Sequence, residues 1–254
     1  MSLKAVLLFD IDGVIRDVGG SYRRAIVETV HHYSGTRPSP ESIDALKAEG
    51  CWNNDWEASR ELLRRSGHDP LPDFEALVEV FNGFYFGGDP EGDPSHWQGF
   101  IGSEPLLVDA AFFADLRRAG VLWGFVSGAE PPSARFVLET RLGLQQVPLI
   151  AMGDAPDKPD PTGFLRLAAE LGQRQLPVAY LGDTVADVLT VQRARQQEPQ
   201  QRFISLAVAP PHLHKPEHQE RRRAYEAQLL HAGADRVIPS TSAVLEVLEQ
   251  TLAL

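Results

Sequence analysis

The stretch Leu7-Leu8-Phe9-Asp10-Ile11-Asp12-Gly13-Val14 decides how this chain folds. An apolar run ends in two aspartates one residue apart, and a glycine follows at once. Carboxylates two residues apart on extended backbone project to the same side. Two like charges held that close repel, and a cation or a shared proton relieves them. Hard cations such as magnesium prefer carboxylate and carbonyl oxygen. The stretch therefore predicts a buried strand whose carboxyl end carries a metal-assisted site. The competing reading is a surface turn, because aspartate and glycine both form turns.

Similar short apolar runs recur at 121–126, 147–152, 178–181, 203–208 and 236–238, each bounded by turn residues as buried strands are. Helical patterns separate the later ones. Residues 109–119 are stopped by Gly120, 133–142 by Gly143 and 162–171 by Gly172, and 186–195 follow Asp183. This alternation predicts an α/β fold, a Rossmann-like three-layer core with a parallel sheet between helices. The region from about 16 to 100 breaks the alternation. It carries helical patterns over 21–33, 40–50, 55–66 and 74–84, has no strand pattern, and closes with the turn-rich 87–94. Residues 1–15 and 102–254 are read as the α/β core domain, and 16–101 as an inserted all-α cap domain. Phe81, Phe84, Tyr85 and Phe86 are read as the cap's internal packing.

Composition narrows the function. With 254 residues, 43% of them apolar, the chain can build one sizeable core and a smaller insert. No apolar stretch approaches the roughly 20 residues needed to span a bilayer. The first residues lack the charged-then-apolar plan of a signal peptide. Cys51 is the single cysteine, so no intrachain disulfide exists and a cytoplasmic setting is expected. A net charge of −11 disfavours nucleic acid and anionic membrane as partners. It still permits a small anionic substrate, because one pocket can be locally positive. Monomer and homodimer both remain open.

Gly-rich phosphate loops of the P-loop or dinucleotide type are missing, so the chemistry must come from elsewhere. Four strand ends carry polar groups. The first is Asp10 and Asp12. The second is Ser127-Gly128, where a hydroxyl and a backbone N–H suit a phosphoryl oxygen, although an ordinary Ser-Gly turn fits as well. The third is Lys158, stiffened by Pro156, Pro159 and Pro161, or simply a solvated loop lysine. The fourth is Gly182-Asp183-Thr184-Val185-Ala186-Asp187. Asp183 suits a helix N-cap as readily as a ligand, and Asp187 lies about one helical turn further on. A parallel sheet puts its strands' carboxyl ends on one edge, where ligands bind. These groups should therefore converge. They supply carboxylates for a divalent metal, a lysine for anionic charge and a hydroxyl donor, which are the needs of phosphoryl transfer.

The segments FDIDGV, VSG, KPDP and GDTVAD, in this order, resemble the four motifs of the haloacid dehalogenase-like (HAD) superfamily. The insert between the first two resembles the small helical cap of the subgroup containing phosphoglycolate phosphatase, β-phosphoglucomutase and phosphonatase. The resemblance implies that Asp10 is a nucleophile forming an aspartyl-phosphate, and that Asp12 is the general acid and base. It implies Mg2+ held by Asp10, Asp183 and the Asp12 backbone carbonyl. Ser127 and Gly128 would bind the transferring phosphoryl group, with the Asp12 and Gly13 N–H groups as further donors. Lys158 would offset negative charge, and Asp187 would orient Lys158 or a metal-bound water. The superfamily's dehalogenases lack the second aspartate. A leaving alkoxide needs a proton and a halide does not, so phosphate monoester hydrolysis is favoured. The expected protein is a magnesium-dependent phosphohydrolase acting on a small phosphorylated metabolite. A phosphomutase, a phosphonatase and a non-catalytic phosphometabolite-binding protein are the rivals, and the last has no need of Asp12.

The insert is expected to close over the sheet edge and read the leaving group. Arg16 sits on its first hinge, as a substrate contact or an exposed arginine. Among residues 50–56, Asn53 or Asn54 is a candidate substrate contact, while Asn54 also suits an N-cap. Lys47 keeps the phosphonatase reading open, since phosphonatases use a cap lysine to form an imine. The spacing of His212, His214 and His218 allows a metal, but a solvated loop explains it more simply.

Overall fold

The structure is a computed structural model that describes residues 3–49, 52, 54–172 and 175–252. Its six strands are β1 (Ala5–Phe9), β2 (Val121–Val126), β3 (Leu149–Ile150), β4 (Val178–Gly182), β5 (Phe203–Val208) and β6 (Arg236–Ile238). They form one parallel sheet in the order β3-β2-β1-β4-β5-β6. Every residue of β1 is buried, as expected of a central strand covered on both faces. Leu7 and Phe9 pack on one face with Phe113, Leu116 and Phe125. Val6 and Leu8 pack on the other with Phe164, Leu167 and Tyr180. Phe9 lies opposite Phe125 of β2 and Leu181 of β4, so Asp10 leaves the sheet where its two neighbours also end. The reversal of strand order about β1 is where α/β sheets hold ligands.

The chain divides into two compact units, 1–17 with 106–254, and 18–105. The second unit is helical: α1 (Tyr22–Ser34), α2 (Pro40–Ala48), α3 (Asp55–Arg65) and α4 (Phe74–Tyr85). Ser39, Asn54 and Asp73 cap α2, α3 and α4 by accepting backbone N–H groups of the first turn. Inside this unit Tyr22 stacks on Tyr85 at 4.1 Å, and Phe81, Tyr85 and Phe86 are buried. Phe84 is half-buried and stacks on Phe100. The Ser21 hydroxyl donates to the buried Glu104 carboxylate, which ties the unit's first residues to its last.

The sheet is flanked by α5 (Ala110–Arg118), α6 (Pro131–Arg135), α7 (Thr162–Gly172), α8 (Val185–Gln197), α9 (Gln219–His231) and α10 (Val244–Leu252). Two elements differ from the sequence reading. β3 is two residues long rather than six, because Pro148 has no N–H to add to the ladder, although its carbonyl still accepts from Phe125 N–H at 2.9 Å. The helix expected over 133–142 begins at Pro131, a residue suited to a first helical turn, and continues as a π-turn over Phe136–Arg141. No described helix is long and apolar enough to cross a membrane.

Candidate active site

Asp10 N–H donates to Leu181 O at 2.9 Å, so the residue keeps sheet register while its side chain leaves the strand end. The Asp10 carboxylate is buried and accepts from Ile11 N–H at 2.8 Å. The chain then turns tightly: Ile11 O accepts from Val14, Ile15 and Arg16, and Gly13 N–H donates to Arg16 O at 2.9 Å. Gly13 has φ +75°, and a Cβ built there would overlap the Asp183 carboxylate. Only glycine lets Asp183 lie against this turn. At Gly182 a Cβ would overlap Asp187 in the same way. Two glycines thus open the space in which the acidic side chains meet.

Asp10, Asp183 and Asp187 are all buried, and one carboxylate oxygen from each lies within 4.8 Å of the others. Lys158 enters from the loop before α7. Its Nζ lies 3.1 Å from Asp10 Oδ2, 2.5 Å from Asp187 Oδ1 and 3.2 Å from the Tyr180 hydroxyl. The Asp187 Oδ2 atom accepts from Thr184 N–H at 3.0 Å and from the Thr184 hydroxyl at 2.6 Å. Asp187 is thus engaged by a lysine at 2.5 Å and by two Thr184 donors, more tightly than Asp10, which meets only Ile11 N–H on Oδ1 and Lys158 on Oδ2. That leaves Asp10 and Asp183 as the natural ligands for a cation in this cluster.

The electrostatics separate the three carboxylates. Burial lifts the Asp10 carboxyl from 3.8 to about 6; Lys158 opposes the rise, while Asp187 and Asp12 add to it. Asp183 is pushed well above the usual carboxylate range by burial and by the like charges of Asp10 and Asp187. Burial acts on Asp187 too, but Lys158 and the Thr184 hydrogen bonds outweigh it, and its carboxyl falls below the ordinary value. Burial works against the Lys158 ammonium, yet Asp10 and Asp187 hold it charged well beyond the usual range. One lysine faces three carboxylates, so removing every proton leaves a surplus of negative charge that Asp10 and Asp183 resist by holding theirs. An all-oxygen donor set with surplus charge suits a hard divalent cation such as magnesium.

The other expected residues sit as follows. Ser127 is buried just after β2; its N–H donates to Ile150 O and its hydroxyl accepts from Ala129 N–H at 3.2 Å. Gly128 is exposed, with open space where a Cβ would stand. Asp12 is part-exposed and accepts from Arg16 Nε–H at 2.6 Å. Arg16 departs from the sequence reading. It is not an exposed arginine but fully buried, with Nη2–H donating to Ser133 Oγ at 2.9 Å. The Asn54 side-chain oxygen is spent on Trp56 N–H and Glu57 N–H as the cap of α3, and Asn53 lies outside the described residues. In the helical unit, Lys47 forms an ion pair with Asp55 that an imine-forming amine would forfeit. His214 and His218 bond the backbone carbonyls of Ala209 and His212 within two short turns, so their nitrogens serve the loop's own fold. A cleft of about 450 Å³ lies in the helical unit beside Trp52, Glu61, Arg64 and Phe74, and none of the clustered aspartates lines it.

Two residues of the cluster escape the sequence reading. Thr184, not Asp183, caps α8, through a reciprocal capping box with Asp187, and this frees Asp183 for the site. Tyr180 is the hub beneath Lys158: its hydroxyl lies 2.7 Å from Val126 O and 3.0 Å from Asp187 Oδ1. The available signal is a phenol inside an otherwise apolar buried strand, since a buried hydroxyl must find partners.

The chain matches the family model for haloacid dehalogenase-like hydrolases over residues 4–195. A curated relative, the imidazoleglycerol-phosphate dehydratase of Phytophthora nicotianae, is 31% identical over 192 residues, which cover 74% of this chain and 41% of that protein. The chain thus spans well under half the length of this relative. Among solved structures, a phosphonoacetaldehyde hydrolase-like protein from Oleispira antarctica aligns with TM-score 0.68 at 17% identity, covering 100% of this chain and 94% of that one. Phosphatase Tt82 from Thermococcus thioreducens aligns with TM-score 0.61 at 22% identity, covering 78% and 91%. These likenesses speak for the fold. The family match spans all four strand-end motifs, from Asp10 to Asp187, and the chain belongs to the haloacid dehalogenase-like hydrolases.

Proposed function

We propose that the protein is a magnesium-dependent phosphohydrolase that cleaves a small phosphorylated metabolite through an aspartyl-phosphate on Asp10. The observation that carries this reading is the pairing of Asp10 with Lys158 at 3.1 Å beside a second buried carboxylate, Asp183, on which burial and the charges of Asp10 and Asp187 outweigh Lys158. Asp10 and Asp183, with the Asp12 backbone carbonyl, would hold Mg2+. Bound there, the ion would neutralise charge on the phosphoryl oxygens.

In the proposed cycle an Asp10 oxygen attacks phosphorus, and the bond from phosphorus to the leaving oxygen breaks. Asp12 gives its proton to that oxygen, releasing an alcohol. A water oxygen then attacks phosphorus, its proton passes to Asp12, and the Asp10–phosphorus bond breaks to release inorganic phosphate. Lys158 balances charge on nucleophile and phosphate throughout, and Asp187 with Tyr180 holds its ammonium in place. Ser127 Oγ and the Gly128 N–H, at the end of β2, are the proposed donors to the phosphoryl group.

The test is a phosphate-release screen across phosphorylated metabolites with Mg2+, with Asp10→Asn as control. Because the curated relative is a dehydratase of an imidazole-bearing phosphate ester, the panel should include imidazole-bearing phosphate monoesters. The expected result is turnover of at least one monoester that Asp10→Asn and chelation both abolish. Full activity in Asp10→Asn would overturn the mechanism.

A further inference from the structure

Arg16 is the largest fully buried side chain among the described residues, and its position has a narrow geometry. Its backbone is clamped on both sides. The carbonyl accepts from Gly13 N–H at 2.9 Å, the N–H reaches Ile11 O at 3.2 Å, and the residue bridges to Leu106 on the returning segment. Its guanidinium is clamped as well. Nε–H meets Asp12 Oδ1 at 2.6 Å, and Nη2–H meets Ser133 Oγ at 2.9 Å. Ser133 is itself fully buried on α6, the helix that follows the Ser127-Gly128 loop. A planar fork held at two corners fixes direction as well as charge. Arg16 has no exposed surface. Its Nε–H is directed at Asp12.

We infer that Arg16 is a positioning residue for proton transfer, holding Asp12 Oδ1 so that the proton on Oδ2 meets the leaving oxygen, with Ser133 anchoring the fork. The inference rests on the reading of Asp12 as acid and base. In the step concerned, the bond from phosphorus to the leaving oxygen breaks while that oxygen takes the Oδ2 proton. The Asp12 carboxylate then forms with Oδ1 still bound by Nε–H. A leaving group that is a weak base departs without this proton, whereas an alkoxide needs it. Arg16 should therefore matter in proportion to how poor the leaving group is. A residue that only supports the fold would affect all substrates alike.

The test is a series of phosphate monoesters, from nitrophenyl through phenyl to alkyl, measured as kcat/KM at one pH with saturating Mg2+. That parameter reports cleavage of the ester and not the later hydrolysis of the aspartyl-phosphate. Arg16→Lys keeps the charge and loses the fork. It should lose about 100-fold on the alkyl ester and less than about 5-fold on the nitrophenyl ester, within the range that positioned proton transfer contributes. Ser133→Ala, which leaves the ion pair in place, should show the same selectivity at about 5-fold on the alkyl ester. If Arg16→Lys does not fold, Ser133→Ala decides. Asp12→Asn separates the two layers of the argument. If it loses activity evenly across the series, the acid–base reading fails, and the inference with it. If Asp12→Asn is selective for poor leaving groups while Arg16→Lys and Ser133→Ala lose evenly or not at all, the role given to Arg16 alone is overturned.

Discussion

Replacing Asp10 with asparagine in the metal-free protein removes a buried charge and almost nothing else. Burial holds the Asp10 carboxyl at about 6 against an ordinary 3.8, with Lys158 opposing the rise and Asp187 and Asp12 adding to it. The folded state therefore keeps this proton to a higher pH than the unfolded chain does. Where the native state binds more protons, stability falls as pH rises. The loss begins near the unfolded value and is complete above the folded one. A rise from 3.8 to about 6 is worth about 3 kcal/mol, at about 1.4 kcal/mol for each pH unit. Asparagine has no proton to lose. Between about pH 4 and about pH 7.5, Asp10→Asn should thus gain about 3 kcal/mol relative to wild type, whatever its offset at low pH. Removing the Asp10 charge also relieves Asp183, which adds to the gain. Urea unfolding in a chelating buffer, followed by tryptophan fluorescence, measures both proteins, and an unchanged m-value licenses the subtraction. A difference flat with pH, or one moving against the variant, would refute the crowded-carboxylate account.

Three further outcomes follow from the same geometry. Lys158→Met leaves Asp10 and Asp187 buried without their cation, so kcat/KM should fall by about 100-fold or more, and urea unfolding should show a loss of about 3 kcal/mol or more at neutral pH. Gly13→Ala places a methyl group where the Asp183 carboxylate lies and strains a backbone at φ +75°; calorimetry should show Mg2+ affinity down by about 10-fold or more, with far-UV dichroism unchanged. Asp183 holds its proton well above the usual range in the metal-free protein, so Mg2+ binding should release protons at neutral pH. Calorimetry in buffers of different ionisation enthalpy counts them, and the count should fall in Asp183→Asn.

How far the sequence speaks for the structure depends on the residue. β1, β2, β4 and β5 are legible because each is a continuous apolar run between turn residues, the mark of a strand buried on both faces. β3 is shorter than its apolar run, because Pro148 interrupts the ladder in a way that hydropathy does not register. The meeting of Asp10, Lys158, Asp183 and Asp187 is legible from the alternation of strand and helix, since parallel strands deliver their carboxyl ends to one edge. Finer distinctions depend on which donor each side chain finds. Asp183 and Thr184 both suit an N-cap, and the capping box with Asp187 selects Thr184. Tyr180 reads as core and is core, yet its hydroxyl completes the lysine's contacts. Arg16 reads as a hinge residue that either reaches the substrate or lies exposed. It is buried and bonds Ser133, 117 residues away in sequence, and no local pattern reports that pairing.

The central claim is that Asp10 carries the phosphoryl group. Rapid acid quench of the protein with Mg2+ and an activated aryl phosphate, followed by borohydride reduction and peptide mapping, measures this directly. Phosphorylated Asp10 should be reduced to homoserine at that one position, and Asp10→Asn should yield no such product. Reduction mapped to another carboxylate, or steady turnover with no residue labelled at any quench time, would contradict the account.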